Sequence, residues 1–361
     1  MKAVVYSGHL DRNSSKIKEV PIPTIKDNQI LIKTIACALN PFDFRSLDFQ
    51  EKGAILGCDA SGIVVEVGED IEDFKVGDHV STFINSFIVK DIGAFAEYVI
   101  GHPSTTIKYD HLSEDPLPIG RNPSTNITTF EAAASITLSM ATVVNCLVVN
   151  FQIPFDKELN KDKYILIWAG TTSSGGLAIQ LAKLIFGLKV VTTALPRHFE
   201  YVKSLGADEV FDYQSPSLIT DIQEVVKGKI EYAFDTVGTA RSIQMVYDTA
   251  LTSISPVSFE NLDFFTEANH ELLADRKDRF FCSFRGAVWG DPLNESGANI
   301  GLDDEAIERF RNFWDFELGK VIKEIKTLEL VVMDGGLESV HGALEYLRED
   351  KIRAEKLVFR I

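Results

Sequence analysis

A chain of 361 residues that is 45% apolar is long enough for two domains with sizeable cores. Its 36 basic and 53 acidic side chains leave a formal charge of −17, with no Lys/Arg cluster, which argues against binding nucleic acid or an anionic membrane surface. Cys37, Cys58, Cys146 and Cys282 are widely spaced and include no Cys-x-x-Cys pair. They read as buried thiols of a reducing compartment rather than a disulfide framework or a zinc knuckle.

The opening residues Lys2 to Tyr6 read as a strand rather than the core of a signal peptide, and no later run reads as long enough to span a bilayer. A cytoplasmic protein is the expectation. The first third is β-rich: residues 29–35 and 63–68 are strand candidates, with corners at Asn40-Pro41-Phe42-Asp43-Phe44-Arg45, at Gly57-Cys58-Asp59 and at Val76-Gly77-Asp78. Short strands with glycine corners suggest a partly open barrel. Residues 103–130 are polar and proline-bearing and read as a long loop. An apolar helix runs from Glu131 to about Val149.

From Tyr164 the pattern changes to strands alternating with helices. Strand candidates are 164–168, 189–194, 209–213, 230–235, 251–255 and 279–284, with a helix ending at Leu205-Gly206 under a left-handed glycine cap. This alternation implies a doubly wound parallel sheet. Its first turn holds Gly170, Thr171, Thr172, Ser173, Ser174 and Gly175, a small, hydroxyl-rich stretch between a strand and an amphipathic helix. Such a turn lets backbone approach a pyrophosphate at a helix N-terminus. It departs from G-x-G-x-x-G, because Thr172 stands where a central glycine is expected, so plain α/β scaffolding is the alternative. The tail from Leu328 reads as strand-like and completes the first domain.

At the end of the second strand, Ala194-Leu195-Pro196-Arg197-His198 carries an arginine and no acid. An acid there would hold the ribose hydroxyls of NAD, whereas Arg197 can pair with the extra phosphate of NADPH. The alternative is that Arg197 and His198 begin an exposed helix.

Gly57-Cys58-Asp59-x-x-Gly62, Gly77-Asp78-x-Val80, Gly93-Ala94-Phe95-Ala96-Glu97-Tyr98, Ile179-Gln180-Leu181-Ala182-Lys183, Leu205-Gly206-Ala207-Asp208 and Asp235-Thr236-Val237-Gly238 occur in the order of one family. Together they resemble the medium-chain dehydrogenase/reductase superfamily, in its zinc-free branch of quinone oxidoreductases and fungal enoyl reductases. The resemblance implies a GroES-like, partly open barrel over residues 1–130, completed by 326–361. Between these pieces it implies a Rossmann domain over 131–325, and it also implies a homodimer. Zinc-dependent relatives place a cysteine where Asn40 stands and Gly-His-Glu where Gly57-Cys58-Asp59 stands. Cys58 and Asp59 could each ligate a metal, but no third ligand is evident for a catalytic zinc, so no metal is expected.

The resemblance further implies that Tyr213 touches the same phosphate as Arg197. Pro41, Phe42, Val237 and Gly238 join the hydroxyl-rich turn as cofactor contacts. Arg45 stands where fungal enoyl reductases often carry a lysine, and is the candidate cation for a substrate oxyanion; a surface pair with Asp43 or Asp48 is its alternative. Thr142 matches a threonine at the nicotinamide, or else bonds back to its own helix. Phe42, Phe83, Phe284 and Trp289 are candidates for the wall of an apolar pocket. Three functions compete: an NADPH-dependent reductase of small apolar enals, enones or quinones; a trans-acting enoyl reductase for a carrier-bound polyketide; and a non-catalytic NADPH-binding protein.

Overall fold

The computed structural model describes residues 1–10, 14–86, 91–262, 267–281 and 304–361. These fall into two compact units, one from Met1–Ala141 with Ile322–Ile361, the other from Thr142–Ala287 with Gly301–Val321.

The first unit opens with the antiparallel pair β1 (Lys2–Tyr6) and β2 (Ser15–Glu19). Its main sheet uses β3 (Ile30–Ala38), β4 (Asp59–Val67), β5 (His79–Phe83), β6 (Tyr98–Gly101), β7 (Thr106–Tyr109) and β8 (Gly120–Asn122). Among the described residues the strand order is β7-β5-β4-β3-β16-β15-β8, with β6 also paired to β3. Here β15 is Glu329–Met333 and β16 is Glu355–Arg360, so the last strand lies inside the sheet. β16 is antiparallel to β3 but parallel to β15. Val4, Ile32, Val64, Phe95 and Phe359 meet in the core beneath the sheet, together with Leu344. The loop expected over 103–130 contains β7 and β8, paired to β5 and β15; Thr106, Ile107 and Tyr109 favour a strand, whereas β8 is extended by its pairing alone.

Two short helices matter for the first unit: α1 (Pro41–Arg45) and α2 (Phe130–Ala134). The apolar helix expected from Glu131 is divided. α2 gives way to α3 (Thr137–Val144), and a wider π-helical turn follows over Asn145–Asn150. By length and composition the run Phe130–Asn150 could cross a membrane, contrary to the sequence reading, but most of it is buried inside the protein.

After α4 (Lys157–Asn160), the second unit is a parallel sheet of β9 (Tyr164–Trp168), β10 (Lys189–Ala194), β11 (Glu209–Asp212), β12 (Ile230–Asp235), β13 (Val257–Asn261) and β14 (Phe280–Phe281). Its order, β11-β10-β9-β12-β13-β14, reverses direction at β9. The connecting helices include α5 (Ser173–Leu181), α6 (Phe199–Ser204), α7 (Leu218–Val226) and α8 (Ala240–Ala250). Leu218, Ile222 and Val226 recur at helical spacing and pack with Leu166, Val191 and Ile243. Gly206, at φ 114°, follows α6 as the expected left-handed residue. The strand expected at 251–255 lies instead at β13: Leu251 and Ile254 are exposed in the turn, and Val257 and Phe259 are buried. Of the strand expected at 279–284, β14 is the described part; Cys282, Phe284 and Trp289 lie outside the described residues.

Candidate functional site

In the second unit, the C-terminal ends of parallel strands place the predicted cofactor residues on one edge. β9 ends at Trp168 opposite Asp235 of β12, and β10 ends at Ala194 opposite Asp212 of β11. The turns bearing Gly170–Gly175, Arg197, Tyr213 and Val237-Gly238 therefore leave the sheet on the same side, where a doubly wound fold binds ligands.

The first of these turns is held by hydroxyls. Ala169 takes the left-handed φ of 64°, and its N–H donates to Thr193 Oγ1 at 2.9 Å. The Thr172 hydroxyl caps α5 by accepting from Gly175 N at 2.9 Å and donates to Thr236 Oγ1 at 2.8 Å. Thr236 in turn donates to the Trp168 carbonyl at 2.7 Å. Thr172 has φ −79° and ψ 161°, ordinary extended backbone, so an N-cap threonine serves here and the expected central glycine is not needed. The glycines flanking it are constrained. A Cβ on Gly170 would come 2.4 Å from Thr192 Oγ1, and one on Gly175 would come 2.3 Å from the Ala169 carbonyl. By helix geometry the N–H groups of Ser173 and Ser174 have no intrahelical acceptor, and the helix dipole favours an anion there. This turn fits a dinucleotide pyrophosphate.

The β12 turn is organised by Asp235. Its Oδ1 accepts from Val237 N at 2.9 Å and from Gly238 N at 3.2 Å, while Oδ2 accepts from Ser242 Oγ at 2.6 Å. Burial raises this carboxyl, and the three donors oppose that rise. Arg197 is exposed in a short turn, Pro196–His198, ahead of α6, and its Nε donates to His198 Nε2 at 3.0 Å. Tyr213 and Val237 are both partly exposed.

The first unit carries a different arrangement. β3 ends at Ala38, which lies between Asp59 of β4 and Val358 of β16. Continuing that register, the Lys356 amino group donates to Asn40 Oδ1 and lies 3.5 Å from Asp59 Oδ2. Asn40 Nδ2 also donates to Asp59 Oδ2, at 2.9 Å, and Leu138 N at the start of α3 donates to Asp59 Oδ1 at 2.6 Å. All three polar side chains are buried.

Asn40 also caps α1, in a reciprocal box with Asp43, whose Oδ2 accepts from Asn40 N at 2.7 Å. Burial, reinforced by the Asp59 charge, pushes the Asp43 carboxyl up to about 7 despite the Asn40 bond. The Cys58 thiol lies beside Asp43 and 3.6 Å from Ser86 Oγ, and burial pushes it up as well. Cys37, Cys58 and Cys146 are buried free thiols.

Of the remaining predicted residues, Pro41 and Arg45 are exposed on α1 and Phe42 is half-buried. Among the described residues Arg45 forms no ion pair, so the alternative pairing with Asp43 or Asp48 does not occur. Phe83 is buried in β5, and its carbonyl accepts from Thr105 Oγ1. Thr142 is half-buried on α3. Sequence reasoning missed the roles of Asn40, Asp43, Asp59 and Lys356. Only the spacing Asn40-x-x-Asp43, a capping pattern ahead of a proline-started turn, announced any of them.

Residues 26–111 match the family model of the alcohol dehydrogenase GroES-like domain, and residues 175–252 match that of the zinc-binding dehydrogenase. A trans-enoyl reductase of Pyricularia oryzae, RAP1, is 31% identical over 98% of this chain and 96% of its own. The chain belongs to the medium-chain dehydrogenase/reductase superfamily. Within it, a trans-enoyl reductase of a Fusarium species, fsa3, is also similar, at 32% identity over 94% of this chain and 93% of its own. The Saccharomyces cerevisiae protein YCR102C, of uncharacterized function, is 31% identical over 99% of both chains. In fold, the quinone oxidoreductase of Coxiella burnetii aligns with a TM-score of 0.68 at 24% identity, covering 100% of this chain and 99% of that one. Membership of this superfamily makes the chain an oxidoreductase and implies a nicotinamide nucleotide, which the hydroxyl-rich turn fits.

Proposed function

We propose that this chain is an NADPH-dependent reductase that works without zinc on the activated C=C or C=O bonds of small enals, enones or quinones. The observation that carries the cofactor choice is the edge of β10. It ends at Ala194 and leads into exposed Arg197, beside the β11 end that bears Tyr213, and the segment Ala194–His198 carries no acid of its own to hold the ribose hydroxyls of NAD. The bound nucleotide supplies the hydride. The α5 N-terminus holds the pyrophosphate, and Thr172 and Asp235 fix the two turns that flank it. Arg45, exposed and unpaired among the described residues, offers a guanidinium to the carbonyl oxygen as negative charge develops there.

The metal-free reading is supported by chemistry rather than by an empty position. Asn40 and Asp59 already bind the Lys356 cation, and Cys58 is a buried thiol raised by burial. A zinc ion would have to displace that cation and ionise that thiol. Among the described residues, no three His, Cys, Asp or Glu side chains group as a metal site.

A second reading, a trans-acting enoyl reductase for a carrier-bound polyketide, is favoured by relatives of that name in Pyricularia oryzae and Fusarium. The charge of −17 suits a protein kept off nucleic acid and anionic lipid. In this reading the protein works in the cytoplasm, as expected from the sequence, and as the homodimer that the family resemblance implies.

NADPH oxidation with a panel of small enals, enones and quinones tests the first reading; turnover confined to a carrier-linked thioester selects the second. Arg197→Glu is expected to weaken NADPH binding at least tenfold while leaving NADH binding within twofold, measured by calorimetry. Equal loss of both would refute the phosphate assignment.

A further inference from the structure

The strongest feature the proposed reaction leaves unused is the buried charge at the foot of α1. The helix α1 has five residues, too few to persist unaided, so its place is set by what holds its ends. Both side-chain polar atoms of its N-cap, Asn40, meet buried partners: Oδ1 accepts from Lys356, and Nδ2 donates to Asp59. Asp59 uses its other oxygen on the first turn of α3. One ammonium group, from the last strand, thus ties together the end of β3, the start of β4, α1 and α3. Buried ion pairs seldom stabilise more than well-packed apolar side chains of equal volume would, and their best-attested use is to select one arrangement. The segment so selected carries Pro41, Phe42 and Arg45.

We propose that Lys356 is a positioning residue: its ammonium, through Asn40 and Asp59, anchors the Asn40–Arg45 turn and thereby aims Phe42 and Arg45. The aiming rests on the reductase reading above, whereas the anchoring does not. Lys356 touches neither substrate nor cofactor in this role. Its cation is a fixed part of the chain, so the turn stays anchored whatever else binds.

Two variants test this, Lys356→Met, which keeps length and loses charge, and Lys356→Met with Asp59→Asn, which also removes the stranded carboxylate. Hydrogen exchange is followed by mass spectrometry on peptides covering residues 39–49 and on β3 and β4, alongside steady-state kinetics. Anchoring predicts at least tenfold faster exchange at 39–49 in both variants, with β3 and β4 unchanged. Positioning predicts at least a tenfold fall in kcat, larger than any accompanying rise in KM for NADPH. Unchanged exchange at 39–49 overturns the proposal. So does full recovery of exchange and kcat in the double variant, which would make Lys356 a charge balance only. A wild-type protein inactive on every substrate, with accelerated exchange in the variants, would sink the reductase reading and leave the anchor standing.

Discussion

The two turns that bear the predicted site residues are held in place by different means. Around Asn40 the contacts are ionic and buried: Lys356, Asp59 and Asp43 crowd one capping amide. Around Thr172 they are neutral hydroxyls and backbone, Thr193 to Ala169 and Thr172 to Thr236. A buried charge tolerates few arrangements, because any shift strands it away from water. A chain of hydroxyls can redirect its protons and leaves the helix dipole uncompensated, as suits a turn that must accept an anion. Rigidity thus belongs to the turn proposed to aim a side chain, and electrostatic openness to the turn proposed to receive a phosphate.

The largest test of this contrast is pH. Because the Asp43 carboxyl is pushed up to about 7 by burial and the Asp59 charge, the native state holds a proton that the unfolded chain has released between pH about 4 and 7. Stability therefore falls as pH rises through that window, and the penalty is complete above it. Asp43→Asn removes the titration and keeps an acceptor for Asn40 N. At pH 8 it is expected to be more stable by about 4 kcal/mol in urea unfolding, and to match wild type near pH 4. Glu260, likewise pushed to about 7 by burial beside Asn150, contributes the same sign in the second unit. If Glu260→Gln alone removed the whole slope, the ionic account of the first turn would be wrong.

A smaller effect is expected at Asp235. Asp235→Ala removes the buried acceptor of the Val237 and Gly238 N–H groups and one partner of the Ser242 hydroxyl, a loss of about 3 kcal/mol. Weakened nucleotide binding should accompany it, since the β12 turn loses its shape. Binding unchanged by calorimetry would remove Val237 and Gly238 from the cofactor site. The smallest effect is at Thr172, where Thr172→Ala deletes one N-cap and is expected to cost about 1 kcal/mol. A loss several times larger would show the neutral turn to be as exacting as the ionic one.

The parts of this architecture that could be read in the chain are those fixed locally. Tyr164–Trp168, the small turn and the amphipathic α5 follow one another in sequence, so strand, turn and helix could be placed together. The helix Val340–Arg348 was legible too, with Val340, Ala343, Leu344 and Leu347 buried at helical spacing, but it was absorbed into a strand-like tail. β8 was not legible: Gly120-Arg121-Asn122 has no strand propensity and is extended because β15 pairs with it. β13 was displaced by six residues, because Leu251 and Ile254 resemble strand residues but lie exposed in the turn after α8. At the site, the phosphate turn was visible through its composition. The Lys356 pairing was not, because a lone lysine within Glu355-Lys356-Leu357-Val358 gives no sign that it points inward toward Asn40.

That pairing spans 316 positions. During synthesis at 5–20 residues per second, Asn40 and Asp59 leave the ribosome on the order of 15–60 s before the lysine that neutralises them. The second unit, whose sheet strands all lie between β8 and β15 in the sequence, is complete within that interval. Nascent chains should therefore acquire a protease-resistant nucleotide-binding half first, while the half bearing Asn40 waits for β16, which pairs with the Ala36–Ala38 end of β3.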